Sequence, residues 1–217
     1  MKLALLLPGY LDSPEYYHIQ KFEDRLIQLG YTTEALDPCN LWETNNVEAY
    51  TVTNYISHIK ETITKYSNKH LDEVILIGHS LGGAISIIAG EQFEQVTKII
   101  ALCPPWNISK SEIKWTNGFR LSRRDFPSKN SYRYFKIPYS FIEDARKYSV
   151  LDSVKRIHKP LMIFIALDDI VVSPEETQKI VVLANNPHVI FMENIGHDFR
   201  LSKAETEIVM LEIEKFL

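Results

Sequence analysis

The sequence predicts an α/β protein built on a doubly wound, mostly parallel six-stranded sheet with helices on both faces. Three observations lead there. Six short apolar or β-rich runs, at residues 2–7, 31–36, 72–77, 97–102, 161–166 and 188–192, alternate with longer helical patterns. Several runs are almost continuously apolar, as in Leu161-Met162-Ile163-Phe164-Ile165, which suits a strand covered on both faces. At 217 residues, 45% hydrophobic and 24% charged, the chain has the length and composition of one domain, 1–217, with a sizeable core.

Along the chain, the run 2–7 opens like a secretion signal, but Pro8-Gly9 end the apolar stretch far too early, so it reads as a first strand and its turn. Ser13-Pro14 then starts a helix over 15–29, with a capping serine and a proline in the first turn. The strand at 31–36 is followed by a helix over 47–66 and the strand at 72–77. Next comes a helix over 81–93, whose Gly82-Gly83-Ala84 start lets it pack close to the sheet, and then the strand at 97–102. After the strand at 161–166, Ser173-Pro174-Glu175-Glu176 starts a helix over 174–184, and a helix over 203–216 follows the last strand.

One segment, 106–150, breaks the alternation. No strand is expected in it, yet it holds ten of the 24 aromatic residues and sets ten Lys and Arg against four Asp and Glu. Long insertions in compact domains are usually functional, so a helical lid or cap is expected, with Trp106, Trp115 and Phe119 as its substrate-binding aromatics. A solvated helical excursion packing on its own aromatics is the other reading.

Composition excludes several classes. A net charge of −4 gives no general attraction to nucleic acid, and no stretch approaches the roughly 20 apolar residues that span a bilayer. Cys39 and Cys103 are too few to staple a domain of this size, which points to free thiols and a cytoplasmic location. No glycine-rich phosphate loop follows a strand, and no pair of histidines has metal-ligand spacing with a third ligand nearby. No cofactor or metal is expected, and nothing in the sequence sets an oligomeric state. His18, His58 and His70 fall in helical or helix-end patterns and are expected at the surface.

Gly78-His79-Ser80-Leu81-Gly82 lies directly after the apolar run ending at Ile77. G-x-S-x-G between a strand and a helix forms a sharp elbow that pushes the serine out of the sheet edge, and a Cβ at either glycine would collide with neighbouring backbone. A serine hydroxyl is a weak nucleophile that needs a base and an acid to orient that base. The order for this elbow is serine, acid, histidine, with both partners in loops after later strands. Asp168 and Asp169 follow the strand at 161–166, and His197 follows the strand at 188–192. The tetrahedral intermediate also needs two N–H donors, one from Leu81 and the other from the turn after the first strand, Pro8-Gly9-Tyr10-Leu11.

The Gly78–Gly83 elbow, the Asp169-Ile170-Val171-Val172 turn and the Gly196-His197 turn together resemble the α/β-hydrolase superfamily, in particular its small bacterial carboxylesterases and lipases. The resemblance covers nearly the whole chain. It implies Ser80 as nucleophile, His197 as general base and then acid, and Asp169, favoured over Asp168 by the apolar residues and proline that follow, as the orienting carboxylate. Relatives often carry His-Gly after the first strand. Here Pro8-Gly9 stand there, so the second donor falls to the Tyr10 N–H, or to Leu11 if the turn is set one residue further on. A serine at the elbow disfavours the dehalogenase and epoxide-hydrolase branches. The implied activity is hydrolysis of an acyl ester of a small molecule. Two alternatives stay open: a thioesterase or esterase for an anionic substrate, and a hydrolase-fold protein that binds a ligand without turnover.

Overall fold

The four inner strands of a six-stranded parallel sheet are almost wholly apolar on both faces, and this dictates the layering. A computed structural model describes residues 1–110, 115–127 and 129–217; Glu112 and Lys114, which enter the charge of the 106–150 segment, lie outside them. The elements run β1 (Lys2–Leu7), α1 (Tyr17–Gln28), β2 (Tyr31–Ala35), α2 (Leu41–Thr44), α3 (Val52–Lys65), β3 (Glu73–His79), α4 (Leu81–Gln92) and β4 (Lys98–Leu102). They continue β5 (Phe119–Asp125), β6 (Tyr132–Pro138), α5 (Ser140–Ala145), α6 (Val150–Arg156), β7 (Leu161–Ala166), α7 (Pro174–Leu183), β8 (His188–Met192) and α8 (Lys203–Phe216).

Successive side chains of a strand point to opposite faces. In β1, Leu3, Leu5 and Leu7 therefore enter one core while Ala4 and Leu6 enter the other. The first core is closed by α3, α4, α6 and α7, through residues such as Ile59, Ile85, Val154 and Ile180. The second is closed by α1 and α8, through Phe22, Leu26, Met210 and Ile213. Three helices carry a side-chain N-cap, from Thr51, Ser149 and Ser202. Ser13 does not cap α1 as its sequence suggests. Its Oγ accepts from Glu15 N (3.1 Å) in a preceding turn, and α1 begins at Tyr17.

The sheet order is β2-β1-β3-β4-β7-β8, all parallel. The chain moves outward from β1 to β2, then crosses back to β3 on the other side of β1. Ligand crevices in such sheets open where the winding reverses, at the carboxyl ends of the strands. Leu7 of β1 is in register with Gly78 of β3, so the turns after these two strands lie side by side at that point. Among the described residues, no helix is long and apolar enough to cross a membrane.

The 106–150 segment is not the helical insertion its sequence suggests. It contains an antiparallel ribbon of β5 and β6, with Leu121 opposite Lys136 and Arg123 opposite Tyr134, followed by α5. The reason is alternation on a half-wet ribbon. Ser122, Phe135 and Ile137 are buried while Leu121, Tyr132 and Tyr134 are exposed, so no continuous apolar run marks either strand. One local signal was present. Asn117 and Gly118, both with positive φ, form a tight turn in which Thr116 and Phe119 exchange backbone hydrogen bonds (3.0 and 3.2 Å).

Candidate active site

The elbow forms where β3 meets α4. Ser80 sits at φ 54°, ψ −119°, a conformation an L-residue holds only when its surroundings over-determine it. Here Ser80 N donates to Leu102 O (2.8 Å) and Ala84 N donates to Ser80 O (3.0 Å). The flanking glycines are required by contact. A Cβ on Gly78 would overlap the Gly82 carbonyl, and one on Gly82 would overlap the Leu7 carbonyl at the end of β1. That close approach brings the first turn of α4 against the turn that follows β1.

Three side chains from three loops converge. His197 Nε2 lies 2.9 Å from Ser80 Oγ, and His197 Nδ1 lies 2.6 Å from Asp169 Oδ2. A carboxylate can only accept, so Nδ1 carries the proton and Nε2 is left to accept from the serine hydroxyl. Asp169 and His197 are 5% and 8% exposed. The other carboxylate oxygen, Asp169 Oδ1, accepts from Val171 N and Val172 N (both 2.8 Å), which fixes the acid in its loop. Asp168 is exposed and only its backbone N–H joins the site, through Ile195 O (3.2 Å). Asp169, and not its neighbour, is the carboxylate in contact with His197.

The turn after β1 is held at four main-chain atoms. Tyr55 Oη donates to Pro8 O (3.1 Å), and Trp42 Nε1 donates to Leu11 O (3.1 Å). Arg124 Nε and Nη2, reaching in from β5, donate to Tyr10 O (3.0 and 2.7 Å). Leu11 N donates to Tyr50 Oη (2.9 Å), which occupies the alternative donor of this turn. The Tyr10 N–H donates to no described residue, and Leu81 N–H, in the first turn of α4, has no intrahelical acceptor. Tyr10, Ser80 and Leu81 line one cavity of about 350 Å³.

Behind the histidine lies a second layer that the sequence did not single out. His79 Nε2 is 3.0 Å from the His197 carbonyl, so it must be the protonated nitrogen and donates there. Burial, then the neighbouring His197 and His18, push His79 well below its ordinary pKa, so it stays neutral. His18, expected at the surface, is fully buried among Phe22, His79 and Phe199, and burial lowers its pKa to about 3. Buried Asp12 joins Arg124 (3.2 Å) and faces Arg200 (4.0 Å), and Arg200 reaches Asp125 at the end of β5 (3.4 Å). Burial raises the Asp12 pKa while Arg200 and Arg124 oppose the rise. The ribbon, the turn after β1 and the histidine loop are thereby tied together by one charge cluster.

Of the aromatic residues expected to bind substrate, Trp115 lines the cavity, beside Phe141, Ile142, Val171 and Val172. Trp106 and Phe119 are not part of that lining. Trp106 lies beneath the Lys179 ammonium (4.8 Å) and Phe119 beneath Lys136 (3.8 Å). Sequence spacing did not separate Trp115 from these two, because it carries no information on which side of the segment faces Ser80.

Cys103, Asp169 and His197 each offer a ligand atom within 4.8 Å of the others, a spacing that admits a metal ion. The donor chemistry fits one poorly. Asp169 and His197 are engaged with each other and with the loop backbone, and burial pushes the Cys103 thiol far above its usual range, whereas a metal needs the thiolate.

No protein-family model matches the sequence, and no curated protein matches it either. Solved structures do match in fold. Est1E from Butyrivibrio proteoclasticus with ferulic acid bound is 18% identical over 100% of this chain and 88% of its own, with TM-score 0.77. A chain of the metagenome-derived lipolytic enzymes LipS and LipT is 17% identical over 99% and 92%, with TM-score 0.80. Mouse alpha/beta hydrolase domain-containing protein 10 is 20% identical over 98% and 88%, with TM-score 0.76. With its parallel six-stranded sheet, its winding reversal at β1 and these full-length superpositions, the chain has the α/β-hydrolase fold.

Proposed function

We propose that the protein is a serine hydrolase that cleaves carboxylic esters of a small molecule through an acyl-enzyme intermediate. The observation that carries this reading is the unbroken hydrogen-bonded line from Ser80 Oγ through His197 to Asp169 (2.9 and 2.6 Å), opening on a largely apolar cavity. Ser80 Oγ attacks the ester carbonyl carbon while its proton moves to His197 Nε2. The oxyanion that forms is met by the N–H groups of Tyr10 and Leu81, held ready by the clamps on the turn after β1. The bond to the leaving alkoxide then breaks, and His197 returns the proton to it, releasing the alcohol. Water adds to the acyl-enzyme with His197 as base, the carboxylic acid leaves, and Ser80 regains its proton. Asp169 holds the histidine tautomer throughout.

The similar structures support the ester reading by kind, since they include lipolytic enzymes and one chain holding ferulic acid. The ribbon and the rest of 106–150 supply Trp115, Asn107 and Ile108 to the cavity wall, which suits a cover over the substrate. Stopped-flow hydrolysis of para-nitrophenyl acyl esters tests the mechanism. The expected result is a burst of para-nitrophenol close to one equivalent of protein, absent in Ser80→Ala. A burst of the same size in Ser80→Ala contradicts the assignment.

A further inference from the structure

The inner face of β5 and β6 carries three arginines, and they are not equivalent. By alternation Arg120, Ser122 and Arg124 share one face of β5. Arg124 is committed to Asp12 and to the Tyr10 carbonyl, and Arg133 of β6 donates to the Trp42 carbonyl (2.5 Å). Arg120 has no carboxylate or carbonyl partner among the described residues. Its described neighbour is the Tyr10 ring, 5.8 Å from the guanidinium carbon, which attracts the charge but accepts none of the five N–H donors in a directed bond.

This arginine lines the cavity that holds Ser80. The other charged groups in that lining, Lys110 and Glu176, are paired with each other at 2.6 Å. Most of the remaining wall is apolar, from Leu81, Ile108, Trp115, Phe141, Val171 and Val172. Among the described residues, then, one cation without a carboxylate partner stands at the side of a mostly apolar cavity, next to Tyr10. A ligand that fills the space with hydrocarbon and ends in an anion satisfies both features, and an uncharged ligand leaves the guanidinium donors to water. Guanidinium geometry matches a carboxylate in particular, through two parallel N–H···O bonds.

We infer that Arg120 is a specificity-determining residue that binds a carboxylate on the substrate, so that the preferred substrates are esters carrying an anionic group. This rests on the esterase reading of the same cavity. The charge belongs to the substrate and takes no part in the bond changes at Ser80.

The test compares the para-nitrophenyl monoester of adipic acid with para-nitrophenyl hexanoate, which match in chain length and differ in the terminal carboxylate. The wild-type protein is expected to favour the adipate monoester in kcat/KM. Arg120→Gln should lower the ratio of the two by about tenfold, chiefly through KM for the anionic ester, and Arg120→Lys should recover part of it. A ratio that Arg120→Gln leaves unmoved, or a wild-type preference for the hexanoate, overturns the inference. Calorimetric binding of the adipate monoester to Ser80→Ala protein, with and without Arg120→Gln, reads the subsite without turnover. Arg120-dependent binding in a protein that hydrolyses neither ester would sink the esterase reading and uphold the anion subsite. Hydrolysis of the hexanoate with no effect of Arg120 on either ratio or binding would sink the subsite alone.

Discussion

At His18 the sequence and its surroundings pull in opposite directions. Both ring nitrogens are buried without a partner among the described residues, packed against Phe22, His79 and Phe199. Burial takes its pKa from 6.5 to about 3, so between those values the unfolded chain binds a proton that the folded chain refuses. Stability therefore falls as the pH drops from about 6.5 towards about 3, by up to about 1.4 kcal/mol per pH unit for each such group. His79 is lowered in the same sense and adds to the slope. Urea denaturation at neutral pH and near about pH 5 should show this loss, and His18→Phe should be shallower by one group and no less stable at neutrality. An unchanged slope in His18→Phe would mean that His18 titrates normally. His18 stands four and eight residues before Phe22 and Leu26, on the stripe that α1 buries, and its polar side chain hid that placement in the sequence.

At the level of elements, the ribbon is tied to the turn after β1. Arg124 of β5 holds the Tyr10 carbonyl and Asp12 at once, which couples the ribbon to the turn that presents the Tyr10 N–H. Preorganised donors lose their value when they must be reoriented during the reaction. Arg124→Met is predicted to lower kcat for a neutral ester by about tenfold with a smaller change in KM. A change in KM alone would place Arg124 in ground-state binding instead. The meeting of Ser80, His197 and Asp169 was legible in the sequence, because each follows its own strand and the spacing to that strand is local. Arg124, Tyr50, Tyr55 and Trp42 were not, since each reaches the turn after β1 from a distant part of the chain. The ribbon strands were hidden for a different reason. Their side chains alternate between a wet face and a buried one, and only Asn117-Gly118 announces a tight turn at the start of β5.

Across the whole molecule, the ribbon shares the core of the sheet. Phe135 and Ile137 are fully buried in the same cluster as Leu3, Leu5 and Ile85, and Trp42 packs edge-on to Phe135 (5.5 Å). Phe135→Ala should therefore lower global stability by about 3–5 kcal/mol, within one cooperative transition followed by tryptophan fluorescence. A separate early transition confined to the ribbon would show that it folds as its own unit. The parallel sheet was legible because the apolar runs of its inner strands require cover on both faces, and the winding reversal at β1 then sets Tyr10 beside Ser80. The central claim is that Ser80 is an activated nucleophile, and reaction with a fluorophosphonate, followed by mass spectrometry of the labelled peptide, tests it most directly. The predicted result is rapid stoichiometric labelling at Ser80 that is lost in Ser80→Ala; folded protein that takes up no label, or that labels equally well in Ser80→Ala, contradicts it.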